Sequence, residues 1–142
     1  MLLGEFEHAL DDKNRLTLPA RLRSELGDHV VVTRGLDGCL TVWSAEEWQR
    51  LARRVGSLDP FSAEARTMQR FFFAAGVEAE LDKQGRVVIP AKLLEETAIG
   101  REVTVTGIYD HLEIWDRAAW RAQRQTVEGS AEDVAQRLAN RD

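Results

Sequence analysis

The chain is 142 residues long, enough for one ordinary domain or for two small units sharing a core. Hydrophobic residues make up 44% and charged residues 30%, with too little glycine and proline for long disordered tracts. The formal net charge of −5 excludes nucleic-acid binding through bulk basicity, so any anion-binding role must come from local clustering.

Other classes are disfavoured just as quickly. A single cysteine, Cys39, leaves no internal disulfide and no multi-cysteine metal knuckle, and within "DGCLTVW" it reads as a small buried residue. The start, "MLLGEFEHALDDKNR", lacks the basic segment of a signal peptide. No apolar run approaches the ~20 residues that span a bilayer, so a cytoplasmic protein without a membrane partner is expected. His8, His29 and His111 are scattered. With no H-E-x-x-H, P-loop or G-x-G-x-x-G spacing, neither an enzyme nor a metal, cofactor or small-molecule substrate is expected.

In chain order, the first predicted element is a strand from Phe6 to Leu10, followed by the polar turn Asp-Asp-Lys-Asn. A second strand, "RLTL", runs into Pro19, which stops a ladder and suits the first turn of a short helix, "PARLRSEL". Gly27 is a predicted helix C-cap. Strands follow at Val30–Thr33 and Leu40–Trp43, joined by "RGLDG". The next helix, "SAEEWQRLARRV", opens with Ser44 and Glu47 in capping-box spacing and gathers Trp48, Leu51 and Val55 on one face. A connecting helix from about Ser62 to Ala75 carries Met68, Phe71, Phe72 and Ala75 at helical spacing, read as core.

The same order then returns: a strand over Val77–Leu81, the turn Asp-Lys-Gln-Gly, "RVVI", and the helix "PAKLLEETA" with Gly100 as its predicted C-cap. Strands at Val103–Thr106 and Leu112–Trp115 flank "GIYDH". A helix starting at Asp116 carries Trp120 and Val127, and a short polar helix or fraying end follows from Ser130. "LDDKNRLTLPARL" and "LDKQGRVVIPAKL" align at an offset of 71 residues, and each half keeps two tryptophans five residues apart. Segments are therefore assigned as 1–56 and 77–128 for the two repeats with their following helices. Residues 57–76 form the connecting helix and 129–142 the tail. Each repeat is near the lower limit for an independent core, so the halves are expected to pool their apolar faces. The expected fold is α+β and β-rich: one small pseudo-two-fold β-barrel with flanking helices.

Two readings compete for the repeated Asp-x-x-x-Arg. In the structural one, Asp11 and Asp82 shape the turns, helped by Asn14 and Gly85, residue types that tolerate positive φ. In the functional one, the arginines serve a partner. From Asp11 to Arg23, the cations Lys13, Arg15, Arg21 and Arg23 outnumber the acids by two; from Asp82 to Lys92, Lys83, Arg86 and Lys92 do the same. Two islands of positive charge on pseudo-symmetric surfaces suit phosphates and guanine edges.

These phrases, with their matching tryptophans, resemble the MraZ family, bacterial proteins built from two SpoVT-AbrB (swapped-hairpin) repeats. The resemblance covers about Met1 to Trp120. It implies a regulator, with repression as the expected mode, binding double-stranded promoter repeats upstream of its own division and cell-wall operon. A ring-shaped homo-oligomer associated with the nucleoid is implied as well. Carried onto this sequence, the family's DNA-contacting motif falls on Asp11, Lys13 and Arg15 and on Asp82 and Arg86. The first copy departs from the family pattern, with Asn14 in place of the usual glycine. Gln84 stands where the first copy has Lys13, so the lobes are not expected to bind equally. Arg15 and Arg86, with Lys13 and Lys83, are the leading contacts; Arg21, Arg23 and Lys92 are second-rank candidates for phosphate contact or structural pairing. The rival reading is a non-enzymatic oligomeric scaffold or protein-interaction module of the same class.

Overall fold

The computed structural model describes residues 1–141. The first half comprises β1 (Leu2–Ala9), β2 (Arg15–Thr17), α1 (Ala20–Leu26), β3 (His29–Arg34) and β4 (Leu40–Ser44), then α2 (Ala45–Gly56) and α3 (Ala63–Phe73). The second half repeats the order as β5 (Val77–Glu80), β6 (Arg86–Val88), α4 (Ala91–Glu96), β7 (Glu102–Tyr109), β8 (His111–Asp116) and α5 (Arg117–Ala139). Side-chain caps start the long helices: Ser44 accepts from the Glu47 amide, Ser62 from Ala65 and Asp116 from Ala119.

The halves exchange their first strands. β1 lies antiparallel to β7 over eight residue pairs, from Leu2–Tyr109 to Ala9–Glu102, and β5 pairs with β3 over four. Together they make a six-stranded sheet in the order β1-β7-β8-β4-β3-β5, with the pseudo-two-fold axis between β4 and β8. β2 and β6 form a separate two-stranded ribbon. Sheet and ribbon enclose one core in a small barrel-like body. Leu16, Leu18, Val87 and Ile89 from the ribbon side meet Val30, Val32, Leu40, Val42, Val103, Val105, Leu112 and Ile114 from the sheet. Because each half borrows a strand from the other, neither closes a barrel alone.

The other face of the sheet carries Thr33, Thr41, Thr104 and Thr106, all buried, beside Trp43 and Trp115. Helices cover it: Trp120 of α5 packs on Trp115, and Thr33 donates to the Phe72 carbonyl at the end of α3. Phe71 and Phe72 are half-buried, Phe71 under the Arg34 guanidinium and edge-on to Phe72, so these aromatics of α3 form a satellite cluster and not part of the main core. Gly107 is required by close approach, since a Cβ there would come within 2.5 Å of the Leu3 backbone nitrogen in the crossing strand β1. Among the described residues, no helix is long and apolar enough to cross a membrane.

Three local expectations change. β1 begins at Leu2 and not at Phe6, because its first half is held by pairing with distant β7 and lacks a strong local pattern. Gly27 does cap α1, at φ 76°, but Gly100 does not cap α4. That helix ends at Glu96 with Thr97 as its C-cap, and Ala98 takes the left-handed turn at φ 54°, with the Ile99 amide donating to the Leu94 carbonyl at 3.0 Å. The polar segment after Ser130 is the continuation of α5, which runs unbroken to Ala139.

Candidate nucleic-acid interface

Each repeated phrase folds into the same clasp. In the first turn, Asp11 Oδ1 accepts from the amides of Lys13 (2.9 Å) and Arg15 (2.8 Å), and Oδ2 accepts from Arg15 Nε (2.6 Å). In the second, Asp82 Oδ1 accepts from Gln84 and Arg86 amides, both at 2.9 Å, and Oδ2 from Arg86 Nε at 2.7 Å. Asn14 and Gly85 supply the positive φ, 57° and 77°, just before each arginine. Backbone bonding from Arg15, then the arginine side chain, holds the Asp11 carboxyl down at about 2; Asp82 is lowered for the same reasons. Both aspartates are therefore ionised at neutral pH.

The clasp uses the Nε edge of each arginine. Among the described residues the two terminal nitrogens of Arg15 and Arg86 have no hydrogen-bond partner, and both side chains remain about a quarter exposed, at 27% and 29%. Strand alternation then aligns them. Leu16 and Val87 face each other across the ribbon and are fully buried, so Arg15, Thr17, Arg86 and Val88 share its outer face. Arg15 stands opposite Val88 and Arg86 opposite Thr17. The two arginines are thus diagonal neighbours, with backbones about 7–8 Å apart. Lys13 and Lys83 lie exposed in the flanking turns.

The second-rank cations separate. Arg21 turns away, its guanidinium over the Phe6 ring at 5.4 Å and donating to the Leu3 carbonyl at 3.3 Å. Lys92 is exposed and stands 3.9 Å from Glu96 on its own helix. Arg23 joins the second turn: its side chain lies across Gly85, filling the space that a Cβ would take. Leu94, the counterpart of Arg23, lines a crevice with Asp11 and Asn14 beside the first turn.

Sequence reasoning missed Arg101. Its backbone carbonyl accepts from the Leu10 amide at 2.8 Å and its Nη1 donates to the Leu10 carbonyl at 3.4 Å, so a residue from the second half stands at the shoulder of the first turn. No local pattern could reveal this, because the contact spans 91 residues. Thr17 and Val88 were also missed, though the alternation of the two short strands carried that signal.

The architecture defines a structural class: a duplicated α+β protein whose halves exchange strands around one barrel-like core, with a two-stranded ribbon that carries an arginine from each half. Comparison with known proteins gives the family. The family model for the MraZ protein matches residues 1–71 and again 72–142. A transcriptional regulator MraZ of Heliobacterium modesticaldum is 45% identical over 142 residues, covering 100% of this chain and 99% of that protein. Another from Thermoanaerobacter pseudethanolicus is 42% identical over 138 residues, covering 97% and 96%. The chain belongs to the MraZ family.

Proposed function

We propose that the chain is a DNA-binding transcriptional regulator that inserts the β2–β6 ribbon into the major groove. The supporting observation is the pair of arginines on one outer face, each clasped through Nε with its terminal nitrogens turned free. A two-stranded ribbon fits the roughly 12 Å groove, and the free edge of a guanidinium matches guanine O6 and N7 or a phosphate. The clasp fixes the arginine before DNA arrives, which reduces the ordering entropy lost on binding. Lys13, Lys83 and Arg23 supply positive charge beside the ribbon, and Thr17 and Val88 offer methyl groups to thymine.

One ribbon with two arginines binds weakly. A ring-shaped homo-oligomer placing neighbouring ribbons on direct repeats would raise avidity by ~10²–10⁴. The resemblance of the repeated phrases to the family supports promoter repeats upstream of the chain's own division and cell-wall operon as the target, with repression as the outcome and the nucleoid as the location. Footprinting of the purified protein on the DNA just upstream of its own gene tests the reading. Protection of evenly spaced repeats that disappears in Arg15→Ala is the expected result. Equal protection by wild type and variant would remove Arg15 from the account, and no protection by wild type would leave the scaffold reading in its place.

A further inference from the structure

Resting on that reading, we propose that Arg101 is a phosphate-contacting residue of the interface, lent by the second repeat to the turn of the first, and that the second turn lacks this contact because Asp28 stands in its place. The equivalence of the two positions is fixed by backbone bonding. The Leu10 amide donates to the carbonyl of Arg101 at 2.8 Å, and the Leu81 amide donates to that of Asp28, also at 2.8 Å.

The second half acts as an internal control on a purely structural role. With Asp28 in place of an arginine, the second turn still closes through the same bonds. Asp82 N to Arg86 O is 3.0 Å and Gly85 N to Asp82 O is 2.9 Å, against 3.1 Å for each counterpart in the first turn. The turn does not need the arginine in order to fold. Arg101 is exposed and spends one donor on the Leu10 carbonyl. Its remaining donors have no partner among the described residues, and nearby Asp11 already uses both oxygens on the Arg15 clasp.

Location indicates the ligand chemistry. Arg101 lies with Asp11, Asn14, Leu94 and Ile99 around a crevice of about 240 Å³ at the shoulder of the turn, not on the outer face of the ribbon. When a ribbon occupies a groove, its outer face meets base edges and its shoulders meet the flanking phosphate backbones. An arginine there positions the first lobe without reading sequence, and an aspartate at the opposite shoulder repels the phosphates. The two lobes therefore grip the duplex unequally, which gives the bound protein a direction along the DNA.

The test measures affinity against salt concentration for wild type, Arg101→Ala, Arg101→Lys, Asp28→Arg and Arg15→Ala. Two probes are used, a duplex from upstream of the protein's own gene and a scrambled duplex of equal length. Arg101→Ala should weaken both duplexes alike, by roughly five- to tenfold near 0.1 M salt, and reduce the salt slope by about 1 per bound chain. Arg101→Lys should restore most of the slope. Asp28→Arg should tighten binding and steepen the slope by about 1. It adds a cation at an exposed site and carries the test even if Arg101→Ala folds poorly. Unchanged slopes in Arg101→Ala or in Asp28→Arg overturn the inference, whereas normal binding by Arg15→Ala overturns the ribbon reading beneath it.

Discussion

The two turns carry the same clasp in different settings. In the first, Arg15 is held by Asp11 beside Asn14, with Leu94 and Arg101 of the other half as neighbours. In the second, Arg86 is held by Asp82 beside Gly85, with Arg23 lying across the glycine and Asp28 at the shoulder. Bond lengths within the clasps agree to 0.1 Å. The clasp is thus a property of five consecutive residues, while the charge around it is set by whatever the opposite repeat brings. The sheet shows the same division: β1 pairs over eight residues, whereas β5 pairs over four and leaves Thr33 and Arg34 to bond with the end of α3.

The comparison can be broken at the axis. Leu16 and Val87 are opposite, symmetric and fully buried. Leu16→Ala should cost about 2–5 kcal/mol of stability by leaving a cavity, and Val87→Ala less because fewer atoms are lost; urea denaturation reads both. On the outer face, Arg15→Ala and Arg86→Ala should each weaken operator binding by about 1–3 kcal/mol without changing the unfolding midpoint, as measured by gel-shift titration and denaturation. A large inequality between them would show which lobe reads bases.

Smaller effects sharpen the contrast. Asp11→Asn and Asp82→Asn keep a carbonyl for the backbone amides but present an NH₂ to the arginine Nε. Binding should fall modestly in each, with little loss of fold, as read by gel-shift titration and denaturation. Because the carboxyl of Asp11 is held at about 2, its contribution is present above the ordinary carboxylate range and disappears as pH falls through about 2. Exchanging the turn residues should be asymmetric: Asn14→Gly should change stability by under about 1 kcal/mol, whereas Gly85→Asn displaces Arg23 and should weaken binding as well.

The smallest expected effect comes from the far face, where His111 is the counterpart of Cys39 in the first half. His111 stacks on Trp43 at 4.3 Å, with Nδ1 2.7 Å from Asp110 Oδ1 and Nε2 3.9 Å from Glu113. Burial works against its charge, but hydrogen bonding to Glu113 and Asp110 outweighs that and raises its pKa. A raised folded-state value means that the stabilisation is complete below the unfolded value, about 6.5, and is lost as pH rises through the folded one. His111→Gln should remove this slope from denaturation curves measured at pH 6 and pH 8. At the matching position of the first half, burial pushes the Cys39 thiol upward and keeps it neutral over the same range, so that residue adds no such slope.

Features that depend on neighbours within a few residues were legible in the order of the amino acids. The Asp–Arg clasps, the caps at Ser44, Ser62 and Asp116, and the alternation that buries Leu16 and Val87 all form inside short windows, so residue type and spacing specify them. Tertiary structure alone decided the exchange of β1 and β5, the early start of β1, the left-handed turn at Ala98 in place of a cap at Gly100, and the placement of Arg23 and Arg101 beside turns of the opposite repeat. Those outcomes follow from ladder bonds and packing between segments tens of residues apart, whose free energy exists only once both halves are folded together.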